Sequence, residues 1–537
     1  MKTFSSFIIS GSFFILLMLF LTCRSYSQVI PENSLYGSDV KVTRQLYSTV
    51  MTSKLMVANN GWIYVLARFN GHDPTYQGWQ LFCSKDNGLS FTIIVWKDYN
   101  TLQDTIKDVD FVVSGNDSAS IALFVAEAVT KGPSGTEDSF CSITRYDAAG
   151  HLIEIPYNYK WGSNPINTLS IATDFRSPDL QYDQPFAVAL AWTGTAMNTQ
   201  EDHLTSAIST DGGNTFESHI IYSQTSPKRL GKVCITIGSF GDLYSGAYGV
   251  AFELNMSAGL GDIGVIVNHL PYHLYWTDPV ILNVFPGKDP AICFKQKNVL
   301  VVPSPNYNSL VVFYTTTDLS GKLKTRYQYL DYSFFAGGIH QATASDFQEY
   351  SLLPNVHTEQ PALAYDKSSD KFLVTWYTPD DNNMHFGTMP AMQPSVIEDK
   401  GYYRDNTSVL PWGPYPRVDV NPSNGKACFS WTETDNWGEN VFFDSEWSIA
   451  GIGETPGPMG SSALKIYPNP VKDELHLEFT GQEPAVACID NTAGVEVKEF
   501  TVSPGKNTCK ISSLPSGIYL LHLKGSLNGL IQKLVVL

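Results

Sequence analysis

Ser84-Lys85-Asp86-Asn87-Gly88-Leu89-Ser90-Phe91 returns 125 positions later as Ser209-Thr210-Asp211-Gly212-Gly213-Asn214-Thr215-Phe216. Both fit Ser-x-Asp-x-Gly-x-(Ser/Thr)-Phe. The chemistry of that pattern is local. An Asp side chain accepts backbone N–H groups across its own turn, a Gly takes the left-handed conformation, and the aromatic ring packs beneath. Each octapeptide therefore reads as a tight hairpin between two strands.

Working outward, the hairpins sit in a weak internal repeat. The clearest unit runs Gln360-Pro361-Ala362-Leu363-Ala364-Tyr365-Asp366, then Lys371-Phe372-Leu373-Val374-Thr375-Trp376-Tyr377-Thr378. Its echo is Tyr415-Pro416-Arg417-Val418-Asp419-Val420, then Lys426-Ala427-Cys428-Phe429-Ser430-Trp431-Thr432-Glu433. Second-strand ends can be marked at Arg68, Glu127, Trp192, Phe252, Phe313, Trp376 and Trp431, at intervals of 55 to 65 residues. Such a period fits one four-stranded sheet per unit, which predicts an all-β propeller. Seven blades fit the spacing; six is the alternative, because the second and fourth units match poorly. The last unit runs one strand short, so Val40–Tyr47 is expected to supply its outer strand and close the ring. Closure buries both faces of every blade and leaves few open edges.

The paired octapeptides resemble the Asp box of sialidases and other Asp-box (BNR) repeat propellers. The resemblance implies a structural role for Ser84, Asp86, Gly88 and Phe91, and for Ser209, Asp211, Gly213 and Phe216. It also implies that ligands dock on the opposite face. The box joins third strand to fourth, whereas loops before first strands and after second strands emerge over the other end of the channel. On that face the candidate ligand-binding residues are Arg68, Arg176, Arg417, Tyr377 and Trp437. The candidate catalytic residues are Glu359, Glu433, Asp381 and His357, because a glycosidase needs two carboxylates roughly 5–10 Å apart. Sialidases bind the substrate carboxylate with three Arg residues, one from an Arg-Ile-Pro motif. Here the comparable stretch is Met51–Val57, and Arg-Ile-Pro occurs nowhere in the chain. No Gly-x-Ser-x-Gly, His-Glu-x-x-His or phosphate-loop pattern appears either. The expected function is recognition of a glycan or a surface protein, with a sialidase-like glycoside hydrolase as the alternative.

The far end carries a separate signal. Ile466-Tyr467-Pro468-Asn469-Pro470 opens a segment that alternates apolar Leu475, Leu477 and Phe479 with polar neighbours, the period-two pattern of a half-buried strand. It continues through Leu514-Pro515-Ser516-Gly517-Ile518-Tyr519-Leu520-Leu521 and ends Gln532-Lys533-Leu534-Val535-Val536-Leu537. This resembles the C-terminal sorting domain of type IX secretion substrates of Bacteroidetes-type bacteria, with Tyr467, Pro468, Asn469, Pro470, Gly517 and Tyr519 as its motif. The resemblance implies a small β-sandwich, a secretion machinery as partner, and release or anchoring at the cell surface. The division expected is a signal peptide at 1–27, a propeller at 28–450, a Gly/Pro/Ser linker at 451–463 and the sorting domain at 464–537. Lys2, the apolar run Phe13–Leu21 and Ser25-Tyr26-Ser27 support cleavage after Ser27. Cys23 follows Thr22 in a poor lipobox, which leaves a lipoprotein as the lesser alternative.

Composition narrows the partners. The formal net charge is −17, and the leader contributes Lys2 and Arg24 but no acid, so the mature chain is more acidic still. Nucleic-acid binding needs clustered Lys and Arg, and is excluded on this balance. The mature chain has no later segment apolar enough to span a bilayer. The Cys residues show no Cys-x-x-Cys spacing, so no metal site is expected. Calcium at a box would need more carboxylates than the hairpin supplies. Buried thiols are expected, with a Cys488–Cys509 bridge left open.

Overall fold

The computed structural model describes residues 39–445 and 464–536, apart from stretches of which the longest are 174–186, 295–307, 333–346 and 404–413. The leader expected at 1–27 and the linker expected at 451–463 lie outside the described residues, as do Arg176, Trp437 and Pro468–Pro470.

Every described element is a strand. After β1 (Val40–Lys41) come β2–β5 (Thr49–Val57, Ile63–Asn70, Tyr76–Ser84, Thr92–Asn100) and β6–β9 (Asp104–Ser114, Ala122–Lys131, Ser139–Asp147, Leu152–Gly162). Next are β10–β13 (Ile166–Thr173, Val188–Ala196, Glu201–Ser209, Glu217–Thr225) and β14–β17 (Val233–Ser239, Gly246–Ser257, Leu260–His269, Val280–Ile281). They are followed by β18–β21 (Gly287–Phe294, Asn308–Thr317, Leu323–Tyr332, Phe347–Ser351) and β22–β25 (Glu359–Asp366, Lys371–Thr378, Asn383–Pro390, Glu398–Tyr402). β26–β28 (Arg417–Val420, Ala427–Asp435, Gly438–Ser445) complete this part. The tail holds β29–β35 (Leu464–Tyr467, Glu474–Phe479, Ala485–Asn491, Glu496–Val502, Gly505–Lys510, Gly517–Leu523, Gln532–Val536).

The result is an all-β, propeller-like fold of antiparallel meanders. The residues marked in the repeat, from Arg68 to Trp431, all lie in second strands of their meanders. The blade count differs from expectation. Five four-stranded sheets stand alone: β2–β5, β6–β9, β10–β13, β22–β25, and β26–β28 with β1. The strands β14–β21 instead form one eight-stranded sheet. Seven, or six, separate blades are thus corrected to five plus a merged region. The merger runs through one contact, Gly261 pairing with Gly287, beside the short β17.

Closure is by the N-terminal strand, as the short last unit requires. Val40 pairs with Phe443 and Lys41 with Phe442. Thr43 Oγ1 then donates to Asn440 Oδ1 at 2.9 Å. Between sheets the packing is aromatic and aliphatic. Trp79, Trp192, Trp376 and Trp431 are fully buried. Each such ring withdraws on the order of 200 Å² from water, about 5 kcal/mol of gross stabilisation before ordering costs.

In the tail, β29-β30-β33 form one sheet and β32-β31-β34-β35 another. Leu475, Leu477 and Phe479 from the first share a buried cluster with Ala487, Ile489, Leu521 and Leu534 from the second. The period-two reading of Leu475–Phe479 is therefore the buried face of β30. Cys488 and Cys509 are both buried free thiols, so the bridge left open by the sequence is not formed.

Candidate functional site

The strands β2, β6, β10, β14, β18, β22 and β26 surround one cavity of about 680 Å³. Their C-terminal halves supply an apolar floor that includes Met56, Val112, Ile237 and Ile292. Their N-terminal ends, with Arg68 and Glu253 from second strands, supply a polar mouth. The two hairpins follow β4 and β12, third strands of their meanders, so they lie toward the apolar end. None of Ser84, Asp86, Gly88, Phe91, Ser209, Asp211, Gly213 or Phe216 lines the cavity.

The hairpins are satisfied within themselves. Asp86 Oδ1 accepts from Ser84 Oγ at 2.7 Å and from Ser90 N at 3.0 Å. Asp211 accepts from Ser209 Oγ at 2.7 Å, Thr215 N at 2.9 Å and Thr215 Oγ1 at 2.6 Å. Burial would raise the Asp211 carboxyl, but its hydrogen bonds from Thr215 and Ser209 outweigh this and lower it to about 2. A Cβ on Gly88 would lie 2.1 Å from the Phe443 ring, and one on Gly213 2.4 Å from Phe124, so each turn rests directly on a neighbouring sheet. A third turn missed in the sequence uses the same chemistry: Asp147 Oδ1 accepts from Ala149 N at 2.8 Å and His151 N at 2.9 Å.

At the mouth, the lining carboxylates are engaged by neighbouring strands. Asp108 accepts from Leu169 N at 2.9 Å, and Asp110 from Ile171 N at 3.0 Å and Lys54 Nζ at 2.6 Å. Asp419 accepts from Val57 N at 2.6 Å. Glu253 accepts from Lys232 N at 2.8 Å and Asp289 N at 2.7 Å. The bonds of Asp108, Asp110 and Asp419 cross from one inner strand to the next, and those of Glu253 tie the second strand β15 to the entries of β14 and β18. Burial raises the Asp108 and Glu253 carboxyls. Burial acts the same way on Asp289, but Lys232 and Lys288 beside it hold this carboxyl below its ordinary value.

Most inner strands also break register as they enter the mouth. Met51, Lys107 and Asn167 are each skipped in the pairing with the second strand. Asp289-Pro290 and Gln360-Pro361 put two residues against one. Tyr415-Pro416 does the same, since Thr432 N donates to Pro414 O at 2.7 Å while Arg417 pairs with Ser430. Such bulges re-aim a side chain out of the strand's alternation, and all six positions line the cavity. Asp289, Gln360 and Tyr415 have φ of +55°, +53° and +44°, a left-handed backbone that costs bulky residues of order 1–3 kcal/mol. The recurrent X-Pro dipeptide before these first strands was the available signal.

The sequence candidates divide accordingly. Arg68 and Arg417 line the cavity. Arg68 Nη2 donates to Ile106 O at 3.0 Å, and Arg417 Nε to Ser53 O at 2.9 Å. Burial lowers the affinity of both guanidinium groups for their proton. His357 and Glu359 are brought together at 2.9 Å, and Glu359 also pairs with Lys288 at 3.0 Å. Asp381 pairs instead with His385 at 2.7 Å. Glu433 is buried and accepts from Trp431 Nε1 at 3.2 Å. Tyr377 donates to Asn382 Oδ1 at 3.1 Å. None of Glu359, Glu433, Asp381, His357 or Tyr377 lines the cavity. Among the described residues no cluster of His, Cys, Asp and Glu could hold a metal ion.

In the tail, the Tyr519 hydroxyl donates to Pro515 O at 2.8 Å, pinning the turn that Gly517 leaves as β34 begins. Residues 465–537 match the secretion system C-terminal sorting domain. The chain thus carries a type IX export address, to the cell surface or the medium. No curated protein matches the chain in sequence. Among solved structures it is similar to an α-L-arabinofuranosidase from Fusarium graminearum bound to an iminosugar inhibitor, at 11% identity over 66% of this chain and 98% of that one, TM-score 0.40. It is similar also to an α-L-arabinanase from Penicillium chrysogenum complexed with arabinobiose, at 9% identity over 77% and 98%, TM-score 0.42. A Trypanosoma rangeli sialidase in complex with sialic acid aligns at 8% identity over 93% and 87%, TM-score 0.38.

Proposed function

We propose that this chain is an exported β-propeller that binds a glycan at the mouth of its axial cavity and does not turn it over. In this reading residues 1–27 are removed on export, 451–463 link the cargo to its address, and the tail is a small sandwich. The eight-stranded sheet stands beside the five four-stranded ones around the axis, because β14 and β18 line the same cavity as the other first strands. The two Asp-containing hairpins are staples of an Asp-box kind.

One observation favours binding over hydrolysis. Asp108, Asp110, Asp419 and Glu253, all lining the cavity, are each committed to backbone N–H donors. A glycosidase needs one carboxyl free to give a proton and another free to attack or to activate water. The cavity's volume suits one or two sugar rings, within the range of small-molecule sites. The test is a glycan array with the purified mature chain, run beside a panel of chromogenic glycosides. Retention of a saccharide with no release of chromophore is expected. Turnover that disappears in Glu359→Gln would establish the hydrolase instead.

A further inference from the structure

Three strained residues at the mouth are held in the same way. Asp289, Gln360 and Tyr415, each followed by Pro, have left-handed φ values of +55°, +53° and +44°. The backbone N–H of each is caught by a side chain from the preceding meander. Asp289 N donates to Glu253 Oε1 at 2.7 Å, Gln360 N to Thr315 Oγ1 at 3.3 Å, and Tyr415 N to Gln360 Oε1 at 3.0 Å. Glu253 and Thr315 are buried residues of the second strands β15 and β19. Gln360 differs from both, because it is itself a strained bulge residue. Two of the contacts therefore run in series, from Thr315 through Gln360 to Tyr415. Tyr415 ends that series as a half-buried ring lining the cavity. Its hydroxyl lies within electrostatic reach of Arg68, Lys232 and Arg417, which come from separate strands around the mouth.

A tyrosine ring offers an apolar face and a polar tip, which suits the C–H face and the hydroxyls of a sugar. It can do so only while its backbone aims it into the cavity. A residue before proline prefers extended backbone, so a released Tyr415 would leave the bulge conformation that re-aims its side chain. The strain of a left-handed residue and the net contribution of one hydrogen bond are of similar size. The accepting oxygen on Gln360 is therefore enough to tip the balance. We propose that Gln360 is a positioning residue, whose side-chain carbonyl holds Tyr415 in the strained conformation that presents its ring to a saccharide. The inference rests on the glycan reading above and names what pre-organises that site. Without the carbonyl a smaller fraction of molecules presents the ring, and apparent affinity falls by the same factor. One hydrogen bond of this kind shifts such an equilibrium about fivefold.

The test is an array of neutral oligosaccharides, read as half-saturating concentrations for the full mature chain and its variants. Gln360→Met keeps the side chain's length and loses the acceptor; it is expected to raise the half-saturating concentration of retained saccharides about fivefold. Gln360→Glu keeps an accepting oxygen and is expected to restore most of that affinity. In a Tyr415→Ala background, Gln360→Met is expected to add less than about twofold, because the ring it positions is gone. An equally large loss in that background would place the effect in Gln360's own contact and overturn the inference. Wild-type affinity in Gln360→Met, or equal losses in the Met and Glu variants, would overturn it too. A second measurement needs no saccharide. Hydrogen exchange followed by mass spectrometry is expected to quicken in the peptide holding Tyr415 in Gln360→Met, with the rest of the map unchanged. Unchanged exchange in that peptide overturns the hold itself. Retention of no saccharide by the wild type overturns the glycan reading and this inference together.

Discussion

Asp211 is held as a carboxylate by its own hairpin, which makes its titration a residue-scale test of that fold. Its folded value, about 2, lies below the ordinary 3.8. The stabilisation is therefore fully present above pH 3.8 and is lost as pH falls through about 2. A carbon-detected NMR titration is expected to show a midpoint near 2 for wild type; a midpoint near 3.8 would mean that the turn is open in solution. Tyr415 poses the opposite test, of strain. Asn tolerates φ of +44° far better than a β-branched residue does. Tyr415→Val is expected to be less stable than Tyr415→Asn by about 1–2 kcal/mol in urea melts. Equal midpoints would show that this backbone relaxes at no cost. The octapeptides were legible at this scale because their chemistry is contained within eight letters. The mouth was not, because Lys107, Asn167 and Gln360 owe their position to a skipped register, which only the partner strand reveals.

At the scale of elements, the carboxylates on first strands are the fasteners between vanes. Asp110 on β6 receives Ile171 N from β10 and Lys54 from β2, so one side chain joins three inner strands. Asp110→Ala is expected to cost about 2–4 kcal/mol, since it strands a lysine and a buried N–H at once. An unfolding free energy within about 0.5 kcal/mol of wild type would show that water replaces the carboxylate, and that burial alone holds the ring. The sequence marked second strands well, because the apolar runs ending at Trp192, Trp376 and Trp431 are buried on both faces. It over-separated the fourth and fifth units. The Gly261–Gly287 contact is a matter of two backbones meeting, and glycine carries no pattern to read.

For the whole molecule, two legible signals did different jobs. The tail announced its role through Tyr467–Pro470 and Leu514–Leu521, and its match to a sorting domain stands. The repeat announced an all-β ring but not its cargo. The proposed catalytic carboxylates Glu359, Glu433 and Asp381 do not line the cavity, because a residue's place in the repeat does not say which way its side chain turns. The carboxylates that do surround the cavity lie within strands, where alternation makes them look structural. In part they are, since they accept the backbone N–H groups that join one vane to the next. At the mouth, strained X-Pro turns present Asp289, Gln360 and Tyr415, on a chain whose net charge is −17. The most direct test of the account is a crystal structure of the mature chain soaked with a saccharide that the glycan array retains. The account predicts the saccharide at the mouth, against Gln360, Tyr415 and Arg417. A saccharide seated beside Asp86 or Asp211, at the other end of the axis, would contradict it.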